Sequence, residues 1–323
     1  MSILSDLRAR AGVRPLLSSE NSNPKVAKNA KVGHLTAVLH LAPGNMSGHE
    51  VCPKRSPGCS AACLHFAGNP LHQDAKTKAR IARTKALFAD RNVFMNLLAL
   101  EIDSHIRKAE KKGQKPSFRL NGTSDIVWEK KSFILFPEVA AKLKEANKIA
   151  TNVIAMFPTA QFYDYTAIPR RTPPSNYHLT FSMKENNMVD VVAALNSGFN
   201  IAVVFPTATL PQEFDIEGSV LRVVDGDEHD YRPLDPSPCV IGLKAKGAPG
   251  KQDTSGFVHR NMLSNTRLPV WMRGAGHNVR NHPRMVPHSH DWSLEKWAPN
   301  SDRPATSAMV QISSAPHKFA KAS

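Results

Sequence analysis

The chain has 323 residues, 41% of them hydrophobic and 21% charged, with a formal net charge of +15 and an isoelectric point near 9.8. That apolar content supports a real core, in one large domain or two small ones, and excludes a mainly disordered chain. No apolar run approaches the roughly 20 residues a membrane span needs, and MSILSDLRAR has neither an apolar signal core nor a small-residue cleavage site. A cytoplasmic protein is therefore expected, in the host cytoplasm if the chain is viral.

Residues 1–33 are polar and rich in Lys and Asn, as in a loose arm or an outer covering. The first clear strand is LTAVLHL at 35–41, ended by Pro43 and Gly44. A long cysteine-bearing loop follows. Residues 74–112 read as helix in one or two pieces, with Ile81, Leu87, Phe88, Phe94, Leu97, Leu98 and Ile102 in an apolar stripe. Asp90 or Asn92 suits the cap of a second piece, and Gly113 its end. Strands are then expected at 117–120, 162–165, 177–182, 201–205, 220–224 and 240–243, with helices at 136–148 and 188–196. Strands alternating with helices predict an α/β fold with a mostly parallel sheet, (β/α) barrel-like over residues 34–270; a doubly wound sheet is the alternative. Residues 271–323 are rich in His, Pro, Asn and Arg and read as a basic, weakly structured tail.

The four cysteines are Cys52, Cys59, Cys63 and Cys239. Without a secretory signal a disulfide framework is not expected, and three clustered cysteines suit a metal better. The loop runs Cys52-Pro-Lys-Arg-Ser-Pro-Gly-Cys59-Ser-Ala-Ala-Cys63. Thiolates bind zinc or iron–sulfur clusters, and a Pro/Gly-rich loop lets three of them converge. Cys239 is a possible fourth ligand. Because it precedes a strand while the loop follows one, an open three-cysteine site is favoured. His65 and His72 are minor candidates for the fourth position.

Function in parallel sheets gathers at the carboxyl ends of the strands. Asn121, Thr123 and Asp125 fall there, as do Asp164 and Tyr165, then Ser182, then Asp225 and Asp227, then Lys244 and Lys246. Asp125, Asp164 and Asp225 are the candidate catalytic carboxylates. The others are candidates for binding a nucleoside or nucleotide-like cofactor, since carboxylates suit ribose hydroxyls and lysines suit phosphates. Tyr163 and Tyr165 share one face of a strand and Asp164 takes the other, so a tyrosine that stacks on a base would leave Asp164 pointing away.

The excess of positive charge favours nucleic acid or another phosphate-bearing partner. Arg80, Arg83 and Lys85 fall within two helical turns, and Lys244, Lys246 and Lys251 form a second basic stretch. In the tail, His288-Ser-His290 resembles the His-x-His pair of rolling-circle nucleases, although Pro287 precedes it; a solvated tail is the preferred reading.

Six segments resemble phage proteins of the gene-product-88 type: CPKRSPGCSAACLHFAG at 52–68, FRLNGTSDIVW at 118–128, FYDYT at 162–166, YHLTFS at 177–182, and VDGD at 224–227 with IGLKAKG at 241–247. The likeness is collinear from about residue 20 to 265 and implies no reaction. A three-cysteine loop after the first strand also resembles the radical S-adenosylmethionine enzymes, with C-x6-C-x3-C here against their C-x3-C-x2-C. That likeness implies a [4Fe–4S] cluster on Cys52, Cys59 and Cys63, S-adenosylmethionine on the open iron, and an enzyme acting on a nucleic acid or nucleoside. The alternatives are a zinc-containing protein similar to base-exchange transglycosylases, with Asp125, Asp164 or Asp225 as nucleophile, and a non-enzymatic nucleic-acid-binding protein with a structural metal.

Overall fold

The structure is a computed structural model and describes residues 2–18, 24–68, 70–206 and 209–260. The tail from 271, with His288 and His290, lies outside the described residues.

The N-terminal stretch carries helix α1 (Ile3–Ala11), capped by Ser2, whose side chain accepts from the Ser5 amide. Arg8 of α1 pairs with Glu101 at 2.8 Å, and Leu7 is buried, so this helix covers the outside of the fold. A short helix α2 (Pro24–Ala27) and a 3-10 turn at Lys28–Val32 lead into strand β1 (His34–Val38). The cysteine loop contains helix α3 (Pro57–Ala61). Helices α4 (Gln73–Ala89) and α5 (Arg91–Lys111) meet at Asp90, whose carboxylate caps α5 by accepting from the Val93 amide.

Strand β2 (Lys115–Arg119) follows, then short helices α6 (Pro137–Ala140) and α7 (Val153–Met156). The rest of the chain is β3 (Gln161–Thr166), β4 (Tyr177–Ser182), α8 (Met188–Asn196), β5 (Ile201–Phe205), β6 (Glu213–Ile216), β7 (Ser219–Asp225), β8 (Val240–Lys244) and α9 (Gly247–Lys251).

The eight strands form one sheet in the order β1-β2-β3-β4-β5-β8-β7-β6. Every pairing is parallel except the terminal β6–β7 hairpin. The fold is thus mixed α/β with a mostly parallel, barrel-like sheet that does not close by strand pairing. Two expectations are corrected. The helix expected over 136–148 stops at Ala140, because Asp103 of α5 accepts from the Lys144 and Glu145 amides and pulls the chain into a turn. Strand β6 was not expected; it turns back on β7 through Glu217 (φ 50°) and Gly218 (φ 88°), with Asp215 accepting from the Gly218 amide.

Alternation along the strands divides the sheet into two faces. The outer face carries Ala37, Phe118, Phe162 and Leu179 against α5, and Phe181, Ile201, Val203 and Val240 against α8. The inner face is polar near β1–β4, with Thr36, Ser117, Arg119, Tyr163 and Thr180. Thr36 and Ser117 bond at 2.6 Å, Asn29 bonds Thr36 and Tyr163, and Tyr163 donates to Asp230.

Candidate metal centre and its rim

The cysteine loop leaves the carboxyl end of β1 and is held from three sides. Near its start, the Cys52 sulfur accepts from the Gly44 amide at 3.3 Å and lies 3.8 Å from the Thr123 carbonyl, in the loop after β2. In the middle, Ser56 caps α3 by accepting from the Cys59 amide. Glu185, just past β4, accepts from the Ser56 hydroxyl at 2.7 Å and the Gly58 amide at 2.8 Å. The neighbouring Lys184 ammonium donates to the Lys54 carbonyl. Gly58 has no room for a side chain: a Cβ there would lie 2.1 Å from Ser255 Oγ and 2.6 Å from Phe257 Cβ.

The Cys63 end docks on α4. Gln73 donates to the His65 carbonyl, Lys76 to the Ala67 carbonyl at 3.0 Å, and Arg80 to His65 Nδ1 at 2.9 Å. His65 Nε2 lies 3.0 Å from Thr77 Oγ1, whose own proton goes to the Gln73 carbonyl. Arginine only donates, so His65 Nδ1 must accept and Nε2 must carry the hydrogen. Burial, with Arg80 and Lys76 beside it, lowers the His65 pKa to about 4, consistent with this neutral form. Both ring nitrogens are therefore engaged within the chain. His72 is exposed at the end of a 3-10 turn.

All four cysteines are free. Cys52, Cys59 and Cys63 are half-buried, and each of the three pairs is close enough for mutual electrostatic influence. Burial pushes the Cys52 thiol up to about 12 and Cys59 up to about 11, with repulsion from Cys63 adding to both. Burial also raises Cys63, against the opposing pull of Arg80 and Lys76. Among the described residues no three His, Cys, Asp or Glu side chains meet in a preformed ligand geometry. Cys239 is buried at the amino end of β8, packed with Ala202 and Ile241 and within reach of Asp235, Arg232 and Arg222. It stands at the opposite end of the parallel strands from the loop and does not join the other three.

The rim residues divide into groups. Asn121 Oδ1 accepts from Ser124 Oγ, the Ile126 amide and Trp128 Nε1, and its amide group donates to the Ile126 carbonyl. Thr123 donates to the Leu41 carbonyl at 2.6 Å. Asp164 is fully buried on the outer face, where it accepts from the Leu120 and Asn121 amides and the Tyr177 hydroxyl. Burial raises it to about 7 against the pull of Arg119 and those donors. Tyr165 lies on the inner face beneath the Arg119 guanidinium, 5.1 Å from the ring, and its buried hydroxyl has no hydrogen-bond partner among the described residues. The tyrosines thus take the inner face and Asp164 points away. The Ser182 carbonyl accepts from Asn187. Asp225 pairs with Lys244 at 2.8 Å, and Asp227 with Lys246 at 2.9 Å.

Asp125 lies nearest the cysteine loop. Its amide donates to the Val51 carbonyl at 2.7 Å, its carboxylate accepts from Thr166 Oγ1 and the Ala167 amide, and Arg171 stands at 3.8 Å. Burial raises its pKa. It borders a cavity of about 270 Å³ whose walls include Glu50, Val51, Leu87, Phe88 and Ile168.

The basic run on α4 is not one surface patch. Arg80 is buried, Arg83 donates to the Pro15 and His40 carbonyls, and Lys85 is exposed. The sequence reading missed the inward polar face of this helix. Gln73, Lys76, Thr77, Arg80 and Thr84 recur at helical spacing, the same signal that marked the apolar stripe. Lys184 was also missed.

Among the described residues no helix is long and apolar enough to cross a membrane. No curated protein sequence and no solved structure matches the chain. The family model described as gene product 88 matches residues 15–261. With most of its length matched and the quoted segments inside that span, the chain belongs to the gene product 88 family.

Proposed function

We propose that Cys52, Cys59 and Cys63 hold a metal centre, an iron–sulfur cluster before zinc, in an enzyme that modifies a nucleic acid or nucleoside. The observation that carries this reading is three free thiols within mutual electrostatic range at the carboxyl end of a parallel barrel-like sheet, ringed by Arg55, Lys76, Arg80 and Lys184. The donor set fits a thiophilic metal. The surrounding cations fit the net negative charge that three thiolates leave on a zinc ion or a [4Fe–4S] cluster. With Cys239 at the other end of the sheet, one coordination position stays open for an exogenous ligand.

Bound there, an iron–sulfur cluster supplies one-electron chemistry, whereas zinc supplies Lewis acidity. The chain's own residues do the rest. Lys184 and Glu185 fix the loop against the end of β4. Asp125, anchored through both oxygens beside the cavity, holds or moves a proton there, and S-adenosylmethionine is the cofactor to test if iron is found. The Asp225–Lys244 and Asp227–Lys246 pairs offer the rim both signs of charge for hydroxyl and phosphate groups, and the net charge of +15 favours a polyanionic substrate.

The test is anaerobic purification followed by metal analysis and an absorption spectrum. About four irons per chain, with a broad visible band that bleaches on reduction and is lost in Cys59→Ala, is the expected result. Zinc without colour would move the reading to the transglycosylase-like alternative, with Asp125 as the first candidate nucleophile. A chain free of metal overturns the proposal and leaves a basic nucleic-acid-binding protein as the reading to pursue.

A further inference from the structure

We propose that Arg80, assisted by Lys76, is the positioning residue that supplies the fixed counter-charge of the three-cysteine centre. The inference rests on the metal reading above and deepens it.

Arg80 is 9% exposed. Among the described residues two other arginines are buried, and each has a carboxylate: Arg171 pairs with Glu129 at 2.6 Å and Arg232 with Asp235 at 3.1 Å. Arg119, nearly as enclosed, pairs with Asp230 at 2.9 Å. Arg80 has no carboxylate within ion-pair distance among the described residues; its hydrogen-bond partner is the neutral ring of His65. Taking a guanidinium out of water without an anion is costly, and arginine does not escape by losing its proton. The fold holds it there regardless, since His65 is itself fixed by Thr77 and buried completely.

The Arg80 partner His65 lies two residues after Cys63, and among the described residues the acidic group that acts electrostatically on Arg80 is the Cys63 thiol. Lys76, one turn earlier on α4, lies within electrostatic range of the same thiol, and its ammonium donates to the Ala67 carbonyl rather than to an acid. Two cations on one helical face, neither with a carboxylate within ion-pair distance among the described residues, therefore lie within electrostatic range of one of the three thiols. With neutral thiols that arrangement is a pure cost. With three thiolates on a dication or a doubly positive cluster, the centre carries a net negative charge and the two cations offset it. Groups outside the ligand shell that tune a metal in this way typically change affinity by 10–100-fold when removed.

The test compares the full-length chain with Arg80→Gln and Arg80→Lys, each purified anaerobically, by metal content and by competition with a chelator, with circular dichroism as the check on folding. The wild type should hold metal. Arg80→Gln should release it at a chelator concentration at least about tenfold lower, and Arg80→Lys, which keeps the charge, should recover most of the difference. If iron is the metal, the midpoint potential of Arg80→Gln should move negative, because the extra electron is then less well compensated; a purely structural role would not move it. If Arg80→Gln does not fold, Lys76→Gln carries the test, with a smaller shift in the same direction. Equal retention in wild type and the folded neutral variant overturns this inference while leaving the metal reading intact. A wild type without metal overturns the metal reading itself.

Discussion

Asn121 shows how one side chain at a strand end organises a loop. Its oxygen takes three hydrogen bonds, from Ser124, the Ile126 amide at 2.9 Å and the Trp128 indole at 3.0 Å. Ile126 and Trp128 are buried, so neither donor finds water if the acceptor goes. Asn121→Ala should cost roughly 3 kcal/mol or more, as two buried donors lose their partner. Urea unfolding should show a lower midpoint with unchanged slope. An effect under about 1 kcal/mol would mean that the loop re-satisfies these groups on its own. The residue scale also marks what can be read from sequence. The thiols of the loop stand out in the sequence by type and spacing. Asn121 and Asp164 do not: a turn former, a scaffold carboxylate and a ligand-binding group look alike until their partners are known. The position of Arg80 was hidden for the same reason, since only the fold shows that among the described residues no carboxylate lies within ion-pair distance of it.

At the scale of elements, α4 serves two sides. The apolar stripe that runs from Leu87 into α5 was legible because burial imposes a period, and the break at Asp90 was legible because a capping aspartate has a position-specific task. The helix expected over 136–148 failed because the competing acceptor, Asp103, sits some forty residues away in sequence on α5. Strand β6 is partly exposed and lacks the apolar content that marks buried strands. The polar face of α4 can be tested at Thr84, which is fully buried and whose hydroxyl accepts from the buried Ala42 amide at 2.9 Å. Thr84→Val keeps the shape and removes the acceptor. It should cost about 1–3 kcal/mol, whereas Thr84→Ser, which keeps the hydroxyl, should cost no more than about 1 kcal/mol. Equal losses in the two variants would show that packing, not the hydrogen bond, joins α4 to the end of β1. In thermal unfolding the Val variant should melt several degrees below the Ser variant.

At the scale of the molecule, no described strand pairs with the outer edge of β1, whose end meets the N-terminal stretch in an isolated bridge between Leu17 and Leu39, and polar side chains do much of what strand pairing does elsewhere. The segment after β7 folds back on the N-terminal stretch: the Lys28 ammonium donates to the Asp227 carbonyl, the Asp230 amide to Asn29, and Tyr231 stacks on His34 with centroids 3.6 Å apart. Asp230 is the centre of this closure. It is fully buried and binds Arg119 through both oxygens, Tyr163 at 3.1 Å and Lys25 at 3.5 Å. Burial alone would raise its pKa, but Arg119, Lys25 and Arg232 outweigh burial and hold it below the ordinary value. A carboxylate depressed in the folded state contributes stability above its unfolded pKa, near 4, and loses that contribution as the pH falls through the lower folded value. Asp230→Asn leaves the Arg119 guanidinium buried without its full partner and should cost about 3–5 kcal/mol at neutral pH. The difference between variant and wild type should stay level from about pH 8 down to 5 and shrink below about 4, where the wild type protonates the same carboxyl. Subtracting the two urea series cancels the groups that titrate in both proteins, including Asp164, raised to about 7, and His65, lowered to about 4. A difference that instead grew on acidification would mean that Asp230 is protonated in the folded protein at neutral pH. The barrel edge would then be sealed by a neutral hydrogen-bond network rather than by a buried ion pair.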